Sequence, residues 1–187
     1  MSTRTGIFAI LLFLPTAAHT DGTDLLFPYE LIGNIDKIDF NEPSGIVFHA
    51  NRGTLFIVED AGDLCEIETD GTLIKHAHLR DADLEGITYD PATNLLYLAV
   101  EGEEKILEVN PDEFSISREF TIPREVNGGT MLKEGGQGIE GITFIPKAGH
   151  KNGGIFLVAN QSFNLADSTD VSAIFEIELP CAARLIL

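Results

Sequence analysis

The sequence predicts an all-β fold, a β-propeller made of four-stranded blades. The first observation is an internal repeat with a period of about 41 residues, long enough for one blade. Its copies begin at Ser44-Gly45-Ile46, Glu85-Gly86-Ile87 and Glu140-Gly141-Ile142. The second observation is that each copy divides into short apolar or alternating runs separated by turn residues, as β-strands require. Amphipathic patterns of helical period do not stand out, so helical classes are excluded.

The first copy, residues 41–80, is predicted as blade 1. Its four β-rich runs are residues 45–48, 54–58, 64–67 and 72–79. Asn51-Arg52-Gly53 and Asp70-Gly71 supply turn chemistry between successive runs. Cys65 lies in the third run, where the other copies carry Leu107 and Phe175, so we expect it to be a small buried side chain rather than half of a disulfide.

The second copy, residues 81–122, is predicted as blade 2. Its runs are residues 86–89, 95–100, 105–109 and 115–122. The third copy, residues 139–180, has runs at 141–144, 155–159 and 173–179 and lacks a fourth strand. The segment 123–138 between them is glycine-rich, and we expect a mobile loop over the mouth of the ring. Residues 29–36, before the first copy, resemble an outer strand.

The two ends of the chain differ from the repeats. Residues 1–20 combine a basic start, a short apolar core and small residues, which predicts a secretory signal peptide. We expect the protein in the periplasm or secreted, or membrane-associated if the signal is retained, with no span after cleavage. The propeller region is predicted at 28–180, and residues 181–187 form a tail outside the blades.

Three blades do not complete a ring. A six-bladed propeller at this period needs about 250 residues. An open half-ring leaves strand faces and edges exposed. We therefore expect a truncated chain, a fragment, or a chain that pairs with another half-propeller.

The charge restricts the partners. With 30 acidic and 12 basic residues the formal net charge is −18. A field of that sign repels nucleic acid and anionic membranes, so neither is expected as a partner. It suits a protein that binds cations or a small ligand.

Two sets of polar residues recur at equivalent positions, and propeller geometry brings both to the mouth of the central channel. One set precedes the inner strand of each copy: Ser44, Glu85 and Glu140. The other follows the second strand: Glu59, Asp60, Glu101 and Asn160. Carboxylate and amide oxygens suit Ca²⁺. We predict a calcium site from Glu85, Glu140, Glu101, Asp60 and Asn160, with Ser44 and Glu59 contacting a ligand.

A structural interpretation stays open beside the cation site. A glutamate before the inner strand can accept backbone N–H bonds from the next blade, and the glycine after it then permits close approach of the strands. Zinc is not expected, because the positions lack His and Cys. The sequence contains neither G-x-S-x-G nor H-E-x-x-H, so no catalytic residue is assigned.

The motifs Pro43-Ser44-Gly45-Ile46, residues 83–89 and residues 139–144 resemble those of the SdiA-regulated, YjiK-like family of exported β-propellers. The resemblance covers residues 40–179. The Glu-Gly-Ile strand also resembles esterase-like phytase and lactonase-type propellers. The resemblance implies a six-bladed, exported or membrane-associated propeller without a firmly assigned activity.

Three functions follow as expectations. The first is a non-enzymatic exported propeller that binds a cation or small ligand at the channel mouth. The second is a calcium-dependent hydrolase of phosphoesters or lactones, with Glu85 or Glu140 as metal ligand or general base. The third is a scaffold for protein interactions.

Overall fold

A computed structural model of the chain describes residues 31–35, 40–126, 128–130, 132, 138–161 and 172–181. Within these ranges all regular secondary structure is β, which confirms the predicted fold class. The same ranges contain no helix long and apolar enough to cross a membrane. The predicted signal peptide, residues 1–20, lies outside the described residues, as does all of the predicted tail except Cys181.

Two four-stranded antiparallel sheets follow each other in the chain, each with its strands in sequence order. Blade 1 consists of β1 Pro43–His49, β2 Thr54–Glu59, β3 Asp63–Ile67 and β4 Leu73–His78. Blade 2 consists of β5 Leu84–Tyr89, β6 Leu96–Val100, β7 Lys105–Asn110 and β8 Ser115–Thr121. Short turns join neighbouring strands, as meander blades require.

A small hairpin precedes blade 3. It is formed by β9 Glu125–Val126 and β10 Gly129–Thr130, within a segment that the sequence predicted only as a loop. Within the described residues, blade 3 has β11 Ile139–Pro146, β12 Gly154–Asn160 and β13 Ala173–Ile177 in one three-stranded sheet. Residues 31–35, predicted as part of an outer strand, form no strand.

The register repeats from blade to blade. Ile46 pairs with Ile57, Ile87 with Leu98 and Ile142 with Val158. On the third strand of each blade, these second-strand residues pair with Cys65, Leu107 and Phe175, respectively. Because side chains alternate across a strand, equivalent residues point to equivalent faces. We call the face toward the earlier blade the preceding face and the opposite one the following face.

Apolar side chains fill both joints between blades. The following face of blade 1 contributes Phe56, Val58 and Leu64 to a core that continues into the preceding face of blade 2. The following face of blade 2 contributes Tyr97, Ala99 and Ile106 to a second core that contains these residues of blade 3: Phe144, Phe156 and Val158. Blade 2 is thus buried on both faces, and burial of this area drives the stacking.

The inner strands approach each other so closely that glycine is required. A Cβ at Gly45 would lie 2.6 Å from the Glu85 carbonyl oxygen. One at Gly86 would lie 2.8 Å from the backbone nitrogen of Ile142. Real side chains do not fit at such distances, so the repeated glycine sets the spacing of the inner strands.

A buried glutamate occupies the third strand of blades 1 and 2. Glu66 pairs with Phe56 in the register and Glu108 with Tyr97, so they are equivalent. Arg52 lies 2.9 Å from Glu66, and Arg118 pairs with Glu108. Burial alone would raise the pKa of Glu108, but hydrogen bonds from Arg118 and Ser117 outweigh it and hold that pKa below its ordinary value.

Candidate functional site

Irregular starts of the inner strands position the candidate site. In blade 2 the register between β5 and β6 shifts between Leu84 and Ile87, and in blade 3 a shift lies between Ile139 and Gly141. Glu85 and Glu140 occupy these two shifts. A bulge leaves a residue unpaired with the neighbouring strand and changes the direction of its side chain. Glu85 and Glu140 therefore do not follow the alternation of side chains along their strands.

The neighbouring carboxylates come from the ends of adjacent elements. Asp60 directly follows β2, Glu101 directly follows β6, and Asp83 directly precedes β5. With Glu85 and Glu140 they form a group that we call the acidic cluster. The starts and ends of strands in all three blades position these five side chains.

Three members of the cluster meet at one point. Asp60, Asp83 and Glu85 each place an oxygen within 4.8 Å of the other two. Ser44 Oγ donates to Asp60 Oδ1 and holds that carboxylate from the blade 1 side. Asp83 Oδ1 is buried, and the side chains of Glu85 and Glu101 hydrogen-bond the Asp83 carboxylate, which they can do only when protonated.

Burial and like charge raise two pKa values in the cluster. The pKa of Glu85 rises to about 7, first because the carboxyl is buried and then because Glu140, Asp60 and Asp83 are close. Burial, followed by Glu140 and Asp83, raises the pKa of Glu101 to about 8. All the neighbours that set these values are acidic, so near neutral pH the cluster must hold protons or a cation.

Glu59 and Asn160, which belong to the predicted set, have contacts outside the acidic cluster. Glu59 is buried, and burial followed by Asp63 raises its pKa, while the Asn41 backbone N–H donates to its carboxylate. It therefore lies beside the cluster, toward the third strand of blade 1. Asn160 Oδ1 accepts a hydrogen bond from the Ala173 N–H at 2.8 Å, a contact that positions the start of β13.

Asp83 is the member that the predicted ligand set omitted. The sequence signal was present, since Asp81-Ala82-Asp83-Leu84-Glu85 is an acidic run immediately before an inner strand. The ligands were selected only at two sets of equivalent positions, and Asp83, whose counterparts are Glu42 in the first copy and Gly138 in the third, belongs to neither set.

The donor set fits a hard divalent cation. Every member offers carboxylate oxygens, which Ca²⁺ accepts in flexible numbers and geometries. The four described histidines have other partners: His76 and His78 lie 3.3 and 2.7 Å from Asp63, His49 stacks on Tyr89, and His150 lies 3.8 Å from Glu178. Nitrogen ligands are thus absent from the cluster, which disfavours zinc.

Stacked antiparallel blades with an acidic cluster between their inner strands define the class: a β-propeller protein with a candidate cation site. The chain belongs to the phytase-like family, described as "Esterase-like activity of phytase", whose sequence profile matches residues 38–179. The comparison with curated proteins gave no match.

Solved structures similar to the chain include three larger proteins. They are Kuenenia stuttgartiensis hydrazine synthase (16% identity, TM-score 0.48), the β-propeller domain of Myceliophteria thermophila Cps50 (Swd1) (12%, 0.45) and the WD40 repeats of RRP9 (9%, 0.47). The matches cover 65%, 64% and 73% of this chain and 30%, 33% and 38% of the others. The chain therefore spans about a third of the length of each.

Proposed function

We propose that this protein binds a calcium ion at the acidic cluster, as an exported member of the phytase-like family. The observation that carries the proposal is the convergence of Asp60, Asp83 and Glu85, whose oxygens lie within 4.8 Å of one another. A divalent ion would offset the repulsion that raises the pKa values of Glu85 and Glu101.

Blade geometry supports a role for the cation in ligand binding. The cluster joins the ends of strands in different blades, so an ion there would couple the blades and present open coordination positions toward the channel. An anionic small ligand would complete its coordination. The acidic surface of the chain otherwise repels such ligands, which makes the ion the element that would attract them.

The test is calorimetric titration of the chain with CaCl₂, together with thermal melts at increasing Ca²⁺. We expect heat of binding and a rise in melting temperature, because a ligand that binds only the folded state stabilises it. Glu85→Gln and Asp83→Asn should each weaken binding about tenfold or more. Glu68→Gln, on an exposed turn, is the matched control. Absence of both heat and a melting shift at millimolar Ca²⁺ would contradict the proposal.

A second candidate, a calcium-dependent phosphoester hydrolase, is favoured by the family's description as esterase-like. A bound cation would supply positive charge for a phosphate oxygen and lower the pKa of a water molecule. Glu101, a carboxylate of the same cluster, would accept a proton from that water as general base. Glu85 would orient the reacting groups from the adjacent strand.

Assays with phosphomonoesters and lactones, with and without EDTA, separate this candidate from simple binding. Hydrolysis that EDTA removes, and that Glu101→Gln lowers at least about tenfold with Ca²⁺ still bound, would support it. Calcium binding without turnover would favour the non-enzymatic function. Export and membership of the narrower SdiA-regulated group are further parts of the proposal, supported by residues 1–20 and by the inner-strand motifs.

A further inference from the structure

The following face of blade 3 exposes positions that are buried in the other blades. Ile174 pairs with Ala159, as Leu64 pairs with Val58 and Ile106 with Ala99. Leu64 and Ile106 are completely buried in the joints, at 0% exposure. Ile174 is 73% exposed. The blade therefore carries an apolar side chain at a joint position that nothing covers within the described residues.

The preceding face of blade 1 shows the complementary exposure. Ile46 is 61% exposed, whereas Ile87, its equivalent in blade 2, is 6% exposed. Phe48 is 50% exposed, and its equivalent in blade 3, Phe144, is 7% exposed. Phe40 covers the outer part of this face near Cys65, and the inner strand remains open.

The surroundings of Gly141 also show that, within the described residues, the following face of blade 3 is uncovered. At Gly45 and Gly86 a Cβ would meet the backbone of the next inner strand at 2.6 and 2.8 Å. At Gly141 it would meet only the Ala159 Cβ, at 3.7 Å. Gly141 pairs with Ala159 as Gly45 pairs with Val58, so it is the third glycine of the spacing repeat, and in the described part of the chain no inner strand lies against it.

We propose that a second copy of this chain docks here, with the following face of blade 3 of each copy against the preceding face of blade 1 of the other. The joint would repeat the one already present between blades 2 and 3, position for position. Two copies of three blades would close a six-bladed ring with a two-fold axis along the channel.

Both faces are apolar. A groove of about 260 Å³ on blade 3 is lined by Leu157, Ala159 and Ile174 among others. A groove of about 250 Å³ on blade 1 is lined by residues that include Ile46 and Ile57. A joint between blades consists of the following face of one blade against the preceding face of the next. The chain exposes one face of each kind, so a second copy can supply the missing face at both positions.

Light scattering on the full chain after size exclusion tests the proposal, with two variants that act differently. Gly141→Leu adds a side chain that the folded blade has space for and the joint does not, and Ile174→Glu places a charge in the joint. We expect the mass of a dimer for the unsubstituted chain and of a monomer for both variants, with unchanged circular dichroism. Ala92→Leu, an apolar addition on an exposed turn of blade 2, should leave the dimer intact.

Cross-linking determines which faces meet. An equimolar mixture of Ile46→Cys and Ile174→Cys should give a cross-linked dimer with a short bismaleimide, while neither variant alone does. The native thiols of Cys65 and Cys181 are buried, and the unsubstituted chain measures their background. A monomer at every concentration tested, a dimer that survives both Gly141→Leu and Ile174→Glu, or cross-linking of Ile46→Cys with itself would overturn the proposal.

Discussion

Arg118 connects a buried charge to the last described residues of the chain. Its guanidinium pairs with Glu108, which is completely buried, and donates to the carbonyl oxygens of Pro180 at 2.9 Å and Cys181 at 3.2 Å. We expect Arg118→Met to destabilise the protein by about 3–5 kcal/mol, because it leaves a buried carboxylate without its counter-charge. Urea unfolding followed by circular dichroism measures the change.

The double variant Glu108→Leu with Arg118→Met is the control for this prediction. Removing both charges should recover most of the loss, since an apolar pair needs no compensation. If Arg118→Met alone were as stable as the unsubstituted chain, this result would show that water already solvates Glu108 in the folded protein.

The acidic cluster sets a pH dependence of stability in the absence of cations. The pKa values of Glu85 and Glu101 are raised on folding to about 7 and about 8, so the unfolded chain loses these protons at lower pH than the folded one. Stability from the protonated pair is complete below the unfolded pKa, about 4.5, and is lost as the pH rises through 7 to 8. In EDTA the melting temperature should therefore fall as the pH is raised from about 5 to about 8.

Addition of Ca²⁺ at pH 8 should reverse that fall, and Glu85→Gln with Glu101→Gln should flatten the profile in EDTA. A melting temperature that rises between pH 5 and pH 8 in EDTA would contradict the assigned shifts.

The sequence predicted the members of the site that recur in the repeat and was less informative about the rest. Glu85 and Glu140 follow directly from the copies. Glu59 and Asn160 occupy predicted positions, but their side chains contact backbone groups of Asn41 and Ala173. Side-chain direction at a strand end depends on single-residue shifts of register, which no period in the sequence encodes.

At the scale of the strands, glycine spacing should decide how tightly two blades pack. Gly86→Ala forces a Cβ against the Ile142 backbone nitrogen at 2.8 Å and should destabilise the chain by about 1–3 kcal/mol. Gly141→Ala meets only a methyl group at 3.7 Å and should change stability by less than about 0.5 kcal/mol in dilute solution. Chemical denaturation of the two variants side by side gives the comparison, and equal losses would show that inner-strand spacing does not limit packing.

The strands themselves could be predicted because three signals agree: a repeat, alternation of side chains, and turn residues at regular distances. The hairpin β9–β10 could not, since two-residue strands contain no measurable period. The exposure of Ile174 could not be predicted either, because a sequence shows which face is apolar and not whether something covers it.

At the scale of the whole molecule, charge opposes the proposed pairing. Each copy carries a formal charge of −18, so two copies repel each other at low salt. Because exposed charges are screened within about 10 Å at 0.1 M salt while apolar contacts are not, we expect the dimer to become tighter as NaCl is raised from about 0.02 to 0.5 M. Sedimentation velocity over this range measures it, and weakening by salt would indicate that ion pairs rather than apolar faces hold the copies together.

The two free cysteines are both buried, Cys65 on the preceding face of blade 1 and Cys181 in the joint between blades 2 and 3. Burial, followed by Glu59 and Asp63, raises the pKa of Cys65 to about 12, and burial also raises that of Cys181. Neither thiol can react with an alkylating reagent until the structure around it opens. Their separate alkylation rates therefore report how often the preceding face of blade 1 and the joint between blades 2 and 3 open, and a second copy docked on blade 1 should slow the reaction of Cys65 more than that of Cys181.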